Sequence, residues 1–94
     1  MIVGFANKAT ELVFQERKPP GLPPEILGRA LAKLQWLHIS GSLEDLRIPT
    51  GNRLELLKGV RAGQHSIRTN DQWRICFVWM ESNDANHIEI TDYH

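Results

Sequence analysis

Trp73-Arg74-Ile75-Cys76-Phe77-Val78-Trp79-Met80 is the stretch on which the fold turns. A period of two puts Trp73, Ile75, Phe77 and Trp79 on one face and Arg74, Cys76, Val78 and Met80 on the other. Apolar groups on both sides predict a central strand with at least part of each face covered. After it, Ser82-Asn83-Asp84 is turn chemistry, and His87 to Tyr93 reads as a last strand with Ile88 and Ile90 pointing one way. Before it, Asn70-Asp71 is a turn. Gly63 to Thr69 alternates, with Gln64, Ser66 and Arg68 on one face and His65, Ile67 and Thr69 on the other. Leu54 to Leu57 is a short apolar run closed by Lys58-Gly59.

The first half reads as helix. Asn7 is a suitable N-cap for a helix from Lys8 to Arg17, with Leu12, Val13 and Glu16 at helical spacing and Pro19-Pro20 to end it. A second helix is predicted from Pro24 to His38, its stripe formed by Leu27, Leu31, Leu34 and His38 and widened by Ala30 and Leu37. Trp36 falls off that stripe, partly exposed. Met1 to Phe5 is a short first strand. Two helices followed by three consecutive β runs define an α+β class with a mainly antiparallel sheet. At 94 residues the chain is one domain, 1–94, and the Pro-rich stretch 19–24 is a stiff loop rather than a linker.

A hydrophobic content of 41% with 23% charged residues fits a globular protein and excludes a disordered one. No apolar run approaches the roughly 18 residues of a membrane span, and the N-terminus lacks a signal pattern. The single Cys76 excludes an internal disulfide framework and reads as a buried thiol, so a cytoplasmic location is expected. The four His residues lack ligand spacing, and neither a metal nor a cofactor is implied.

Net charge is zero, which argues against a general polyanion binder. Its distribution is uneven. Residues 47–74 carry six basic side chains (Arg47, Arg53, Lys58, Arg61, Arg68, Arg74) against Glu55 and Asp71. Residues 75–94 carry Glu81, Asp84, Glu89 and Asp92 and no Lys or Arg. A local basic patch can hold a phosphate backbone at one defined place; a solvated charged face is the plainer alternative. The ending, Asp92-Tyr93-His94, gathers groups suited to acid–base work, and Arg74 and Lys58 could lie close in a folded sheet. RNA cleavage needs such a set. The 2′-hydroxyl loses a proton and attacks the adjacent phosphorus, and cations balance the charge that gathers there. A merely polar C-terminus is the other reading of the same residues.

The run Gly51-Asn52-Arg53-Leu54-Glu55-Leu56-Leu57-Lys58-Gly59-Val60-Arg61-Ala62-Gly63-Gln64-His65-Ser66-Ile67-Arg68 resembles the HigB toxin family. So do Asn70-Asp71-Gln72-Trp73-Arg74-Ile75-Cys76-Phe77 and the terminal Ile90-Thr91-Asp92-Tyr93-His94. The resemblance implies a RelE/ParE-like fold, with two N-terminal helices packed on the sheet. It implies a type II toxin that cleaves mRNA in the ribosomal A site and is silenced by a helix-turn-helix antitoxin, HigA. Operator DNA would be met only through the antitoxin complex, and no membrane is involved. By the same resemblance Asp92, Tyr93 and His94 form the catalytic end, and Lys58 and Arg74 hold or stabilise phosphate. Arg53, Arg61 and Arg68 would contact RNA or the ribosome. Some members carry a His before the Leu-Lys-Gly block; Glu55 stands at that place here, and either Glu55 takes the base role or His94 and Tyr93 carry the proton transfers without it. His65 is a nearby alternative, though its neighbour Ile67 suggests an inward face and a satisfied core role. A ParE-like gyrase inhibitor, or a non-catalytic binding module in an operator-bound repressor complex, are the competing functions.

Overall fold

The first helix begins and ends on local chemistry. In the computed structural model, which describes residues 1–92, the Asn7 side-chain oxygen accepts the Thr10 N–H at 2.9 Å and caps α1, Lys8–Phe14. The helix stops at Phe14, short of the expected Arg17. Glu16 turns to φ 63°, and the Arg17 N–H closes onto the Leu12 carbonyl at 2.9 Å. This left-handed C-terminal closure ends the helix before Pro19-Pro20 are reached.

Helix α2 spans Pro24–Ile39, with Pro in its first turn and Glu25 favouring its N-terminal dipole. Its buried line is Ile26, Ala30, Leu34 and Leu37, whereas Leu27, Leu31 and His38 are only half-buried. The helix is thus turned slightly from the stripe that spacing alone selects, because Ile26 extends the apolar arc on the opposite flank. His38 serves the N-terminal segment instead. Its Nδ1 accepts the Ile2 N–H at 3.1 Å and ties that segment down. Trp36 is half-buried, as expected, and donates to the Ile48 carbonyl at 2.9 Å.

Four strands follow in antiparallel order β1-β2-β3-β4: β1 Glu55–Leu56, β2 His65–Arg68, β3 Trp73–Trp79 and β4 Ala85–Asp92. Strand β3 lies inside, flanked by β2 and β4. Ile67, Ile75, Phe77, Ala85, Ile88 and Ile90 turn to the helices and pack with Val13, Ile26, Ala30, Leu34, Leu37 and Leu46 in one core. The last strand starts earlier than expected, at Ala85, and contains an irregularity opposite Cys76–Val78 where His87 takes φ 50°. That bulge resets alternation, so Ala85 and Ile88 both reach the core. Met1 to Phe5 forms two isolated parallel bridges to β4, Ile2 with Ala85 and Phe5 with Ile88, rather than a full strand. Further along β4, the Ile90 N–H donates to the buried Thr10 Oγ1 at 3.0 Å, so a helix side chain covers part of the sheet edge. Among the described residues no helix is long and apolar enough to cross a membrane.

Candidate active site

Strand register decides which side chains share the sheet face turned away from the helices. Ser66 opposes Cys76 and Cys76 opposes Glu89; Arg68 opposes Arg74 and Arg74 opposes Thr91. Glu55 opposes Ser66 at the outer edge. One face therefore carries a row of Glu55, Ser66, Cys76 and Glu89 beside a row of Arg68, Arg74 and Thr91. Two arginines directly opposite one another are unfavourable in a sheet unless other groups offset their charge.

Arg74 is held on several sides. Its Nε donates to Ser66 Oγ at 2.8 Å and its Nη2 to the Arg53 carbonyl at 2.8 Å. Nη2 also lies 3.8 Å from Glu55 Oε2. Arg53 follows a short 3-10 turn, Thr50–Asn52, in a left-handed conformation (φ 47°) that accompanies this carbonyl contact. The guanidinium side chain is 14% exposed, while Glu55 is largely open to solvent. Among the described residues Nη1 has no bond, so a fixed cation presents unused donors next to a carboxylate. Sequence reasoning missed Ser66 as a brace for Arg74. Its place on the face of Arg68 was legible in the alternation, but its partner was not.

Of the other expected site residues, Arg61 pairs with Glu89 at 3.2 Å and with Gln64 Oε1 at 3.2 Å. Arg68 pairs with Asp71. Lys58 is exposed at the end of β1 and makes no ion pair among the described residues. Arg47, counted in the same basic third, lies apart in the turn Leu43–Arg47 and pairs with Glu44. The six cations therefore do not form one open patch; four carry carboxylate partners.

Asp92 does not join Arg74. It opposes Trp73 across the β3–β4 ladder, so it lies on the other face, where it accepts from Gln72 Nε2 at 2.9 Å. Tyr93 and His94 lie outside the described residues. His65 turns to the helix side, its ring stacked 6.1 Å from Phe77. Burial, with a smaller push from Arg47, holds its imidazole below the ordinary value. It faces inward as expected, yet it is not satisfied, because Nδ1 is buried without a partner among the described residues. Cys76 is fully buried, and burial raises its thiol, with Arg61 and Arg74 opposing and Glu89 adding to the rise, which agrees with an inert core cysteine.

Two leading helices packed on one face of an antiparallel sheet, with arginines on the other face, define a small α+β domain. Residues 3–94 match the model of a family described as the RelE-like toxin of the type II toxin-antitoxin system HigB. The chain is 39% identical over 87 residues to "Toxin HigB-1" of Vibrio cholerae serotype O1, covering 92% of each. It is 31% identical over 94 residues to "Endoribonuclease HigB" of Proteus vulgaris, covering 100% of each. The chain belongs to the HigB-like toxin family, and membership in a type II system implies an antitoxin partner.

Proposed function

We propose that this chain is a metal-independent, ribosome-dependent endoribonuclease that cleaves mRNA in the A site and is neutralised by a HigA-type antitoxin. The observation that carries the reading is the braced Arg74 guanidinium, its Nη1 donors unused among the described residues, beside the exposed Glu55. A full-length relative named as an endoribonuclease supports the same chemistry. In this scheme the 2′-hydroxyl gives its proton to Glu55 and attacks the adjacent phosphorus. Arg74, already fixed in position, meets the negative charge that develops on the phosphoryl oxygens, and Lys58 adds a second cation. Tyr93 and His94 supply proton transfer to the leaving 5′-oxygen; like the part of Asp92, that assignment rests on the family resemblance. The site would work in the cytoplasm, where ribosomes are, and operator DNA would be reached only through the antitoxin complex.

So few catalytic groups imply that the ribosome aligns the substrate. Purified protein added to naked mRNA and to programmed ribosomes should cut only the second; equal cleavage of both would sink the proposal. Glu55→Gln should slow cleavage by about 100-fold or more, on the scale of losing a general base.

A further inference from the structure

Beside the Arg74 site lies a second concentration of positive charge that the cleavage chemistry does not use. A cavity of about 290 Å³ opens between α2 and the end of β2, lined by Arg29, Ala32, Lys33, Gly51, Arg68 and Thr69. That is near the small end of ligand pockets, roughly 300–1,000 Å³. Arg29 and Lys33 stand one helical turn apart on α2, a spacing at which like charges destabilise a helix. Lys33 donates to Asn52 Oδ1, a neutral partner, and Asp71 pairs with Arg68; no carboxylate pairs with Arg29 or Lys33 among the described residues. Burial first, then Arg29 and Arg68, draw the Lys33 ammonium below its ordinary value, so these cations crowd one another. Ala32 and Gly51 keep the walls small; Gly51 has nothing within 4 Å of where a Cβ would stand. Thr69 is 4% exposed, and its Oγ1 has no hydrogen-bond partner among the described residues.

We infer that this cavity is a phosphodiester subsite in which Arg29, Lys33 and Arg68 hold a backbone phosphate of RNA next to the Arg74 site. A bound phosphate would offset the charges of Arg29 and Lys33, which no carboxylate pairs among the described residues, and Arg68, already paired with Asp71, would add a third donor. Arg68 joins the two sites, because it lines the cavity and opposes Arg74 in the ladder. The place of the subsite beside a cleavage centre rests on the endoribonuclease reading, whereas its affinity for a phosphodiester does not.

The test uses Arg29→Ala combined with Lys33→Gln, which removes both charges while leaving a donor for Asn52. Arg17→Ala, an exposed charge elsewhere, is the control. Inorganic phosphate, then a short oligoribonucleotide with 2′-deoxy linkages, is titrated into labelled wild-type protein. Saturable amide shifts at Lys33, Arg68 and Thr69 that vanish in the double variant support the subsite; their absence in the wild type overturns it. On programmed ribosomes the double variant should raise KM about tenfold and leave kcat nearly unchanged. The salt slope should fall by about 0.7 for each phosphate no longer neutralised. Arg17→Ala should do none of this. An unchanged KM with weakened antitoxin binding would mean that the cavity takes an acidic peptide, and the RNA assignment would fall. Ribosomes whose message ends at the P-site codon separate two sources. Affinity loss that disappears there identifies an mRNA phosphate, and loss that persists identifies ribosomal RNA; either supports a phosphodiester occupant. If Arg74→Ala still cleaves while the double variant loses RNA binding, the catalytic reading fails and the subsite stands.

Discussion

Arg74→Lys separates charge from geometry at the candidate site. Lysine keeps the positive charge but carries one ammonium in place of the planar fork. The fork donates at 2.8 Å to Ser66 Oγ and at 2.8 Å to the Arg53 carbonyl, and a single ammonium reaching past Ser66 would keep at most one of these in good geometry. Ser66 is fully buried, so a missing donor leaves its hydroxyl unsatisfied. A hydrogen bond involving a charged group is worth about 1.5–3 kcal/mol, and the net loss in stability should fall near the lower part of that range. At about 4–8 °C per kcal/mol for a domain of this size, the Tm should drop by roughly 6–12 °C. Single-turnover cleavage on programmed ribosomes, normalised to folded protein at a temperature where both proteins are native, should fall about 100-fold or more, as when one preorganised donor is removed. Arg74→Ala should be worse on both counts, because Glu55 also loses its cation. Ribosome affinity should change far less than rate. If Arg74→Lys loses stability but cleaves at the wild-type rate per folded molecule, the braced guanidinium is a structural clamp and the catalytic argument fails.

Thr10→Val removes the acceptor for the buried Ile90 N–H and should cost about 1–3 kcal/mol, read by calorimetry, with faster amide exchange at Ile90 and unchanged cleavage per folded molecule. Because burial holds His65 below its ordinary 6.5, the unfolded chain takes up that proton first as pH falls; the protein should therefore lose stability below pH 6.5. His65→Phe should flatten that part of the stability–pH curve, and an unaltered slope would refute the assignment. A chain ending at Tyr93 should fold by circular dichroism, bind antitoxin and fail to cut mRNA; normal growth arrest by it would exclude His94 from catalysis.

The class of fold was legible before any coordinates, because the signals that set it are local. Asn7 capping α1, the apolar arc of α2 and the period-two pattern of Ile75 and Phe77 each depend on a few neighbouring residues. The basic side chains of 47–74 were visible in composition, and the family resemblance pointed to Glu55 and Arg74 as candidates. Phase and register were not. Ile26 and Leu27 both border the apolar arc of α2, so only packing against the sheet selected the line through Ile26, Ala30, Leu34 and Leu37. Likewise, alternation along one strand says nothing about which residue stands opposite on the next. The β3–β4 register placed Asp92 across from Trp73 instead of beside Arg74, and the bulge at His87 reset the faces within β4. Ser66, Arg53 and Glu55 converge on Arg74 from different segments, and Arg29 and Lys33 meet Arg68 across a long stretch of chain. Short-range patterns limit what each segment can become; the partners of a buried charge follow from long-range packing, because distant groups must offset its desolvation together.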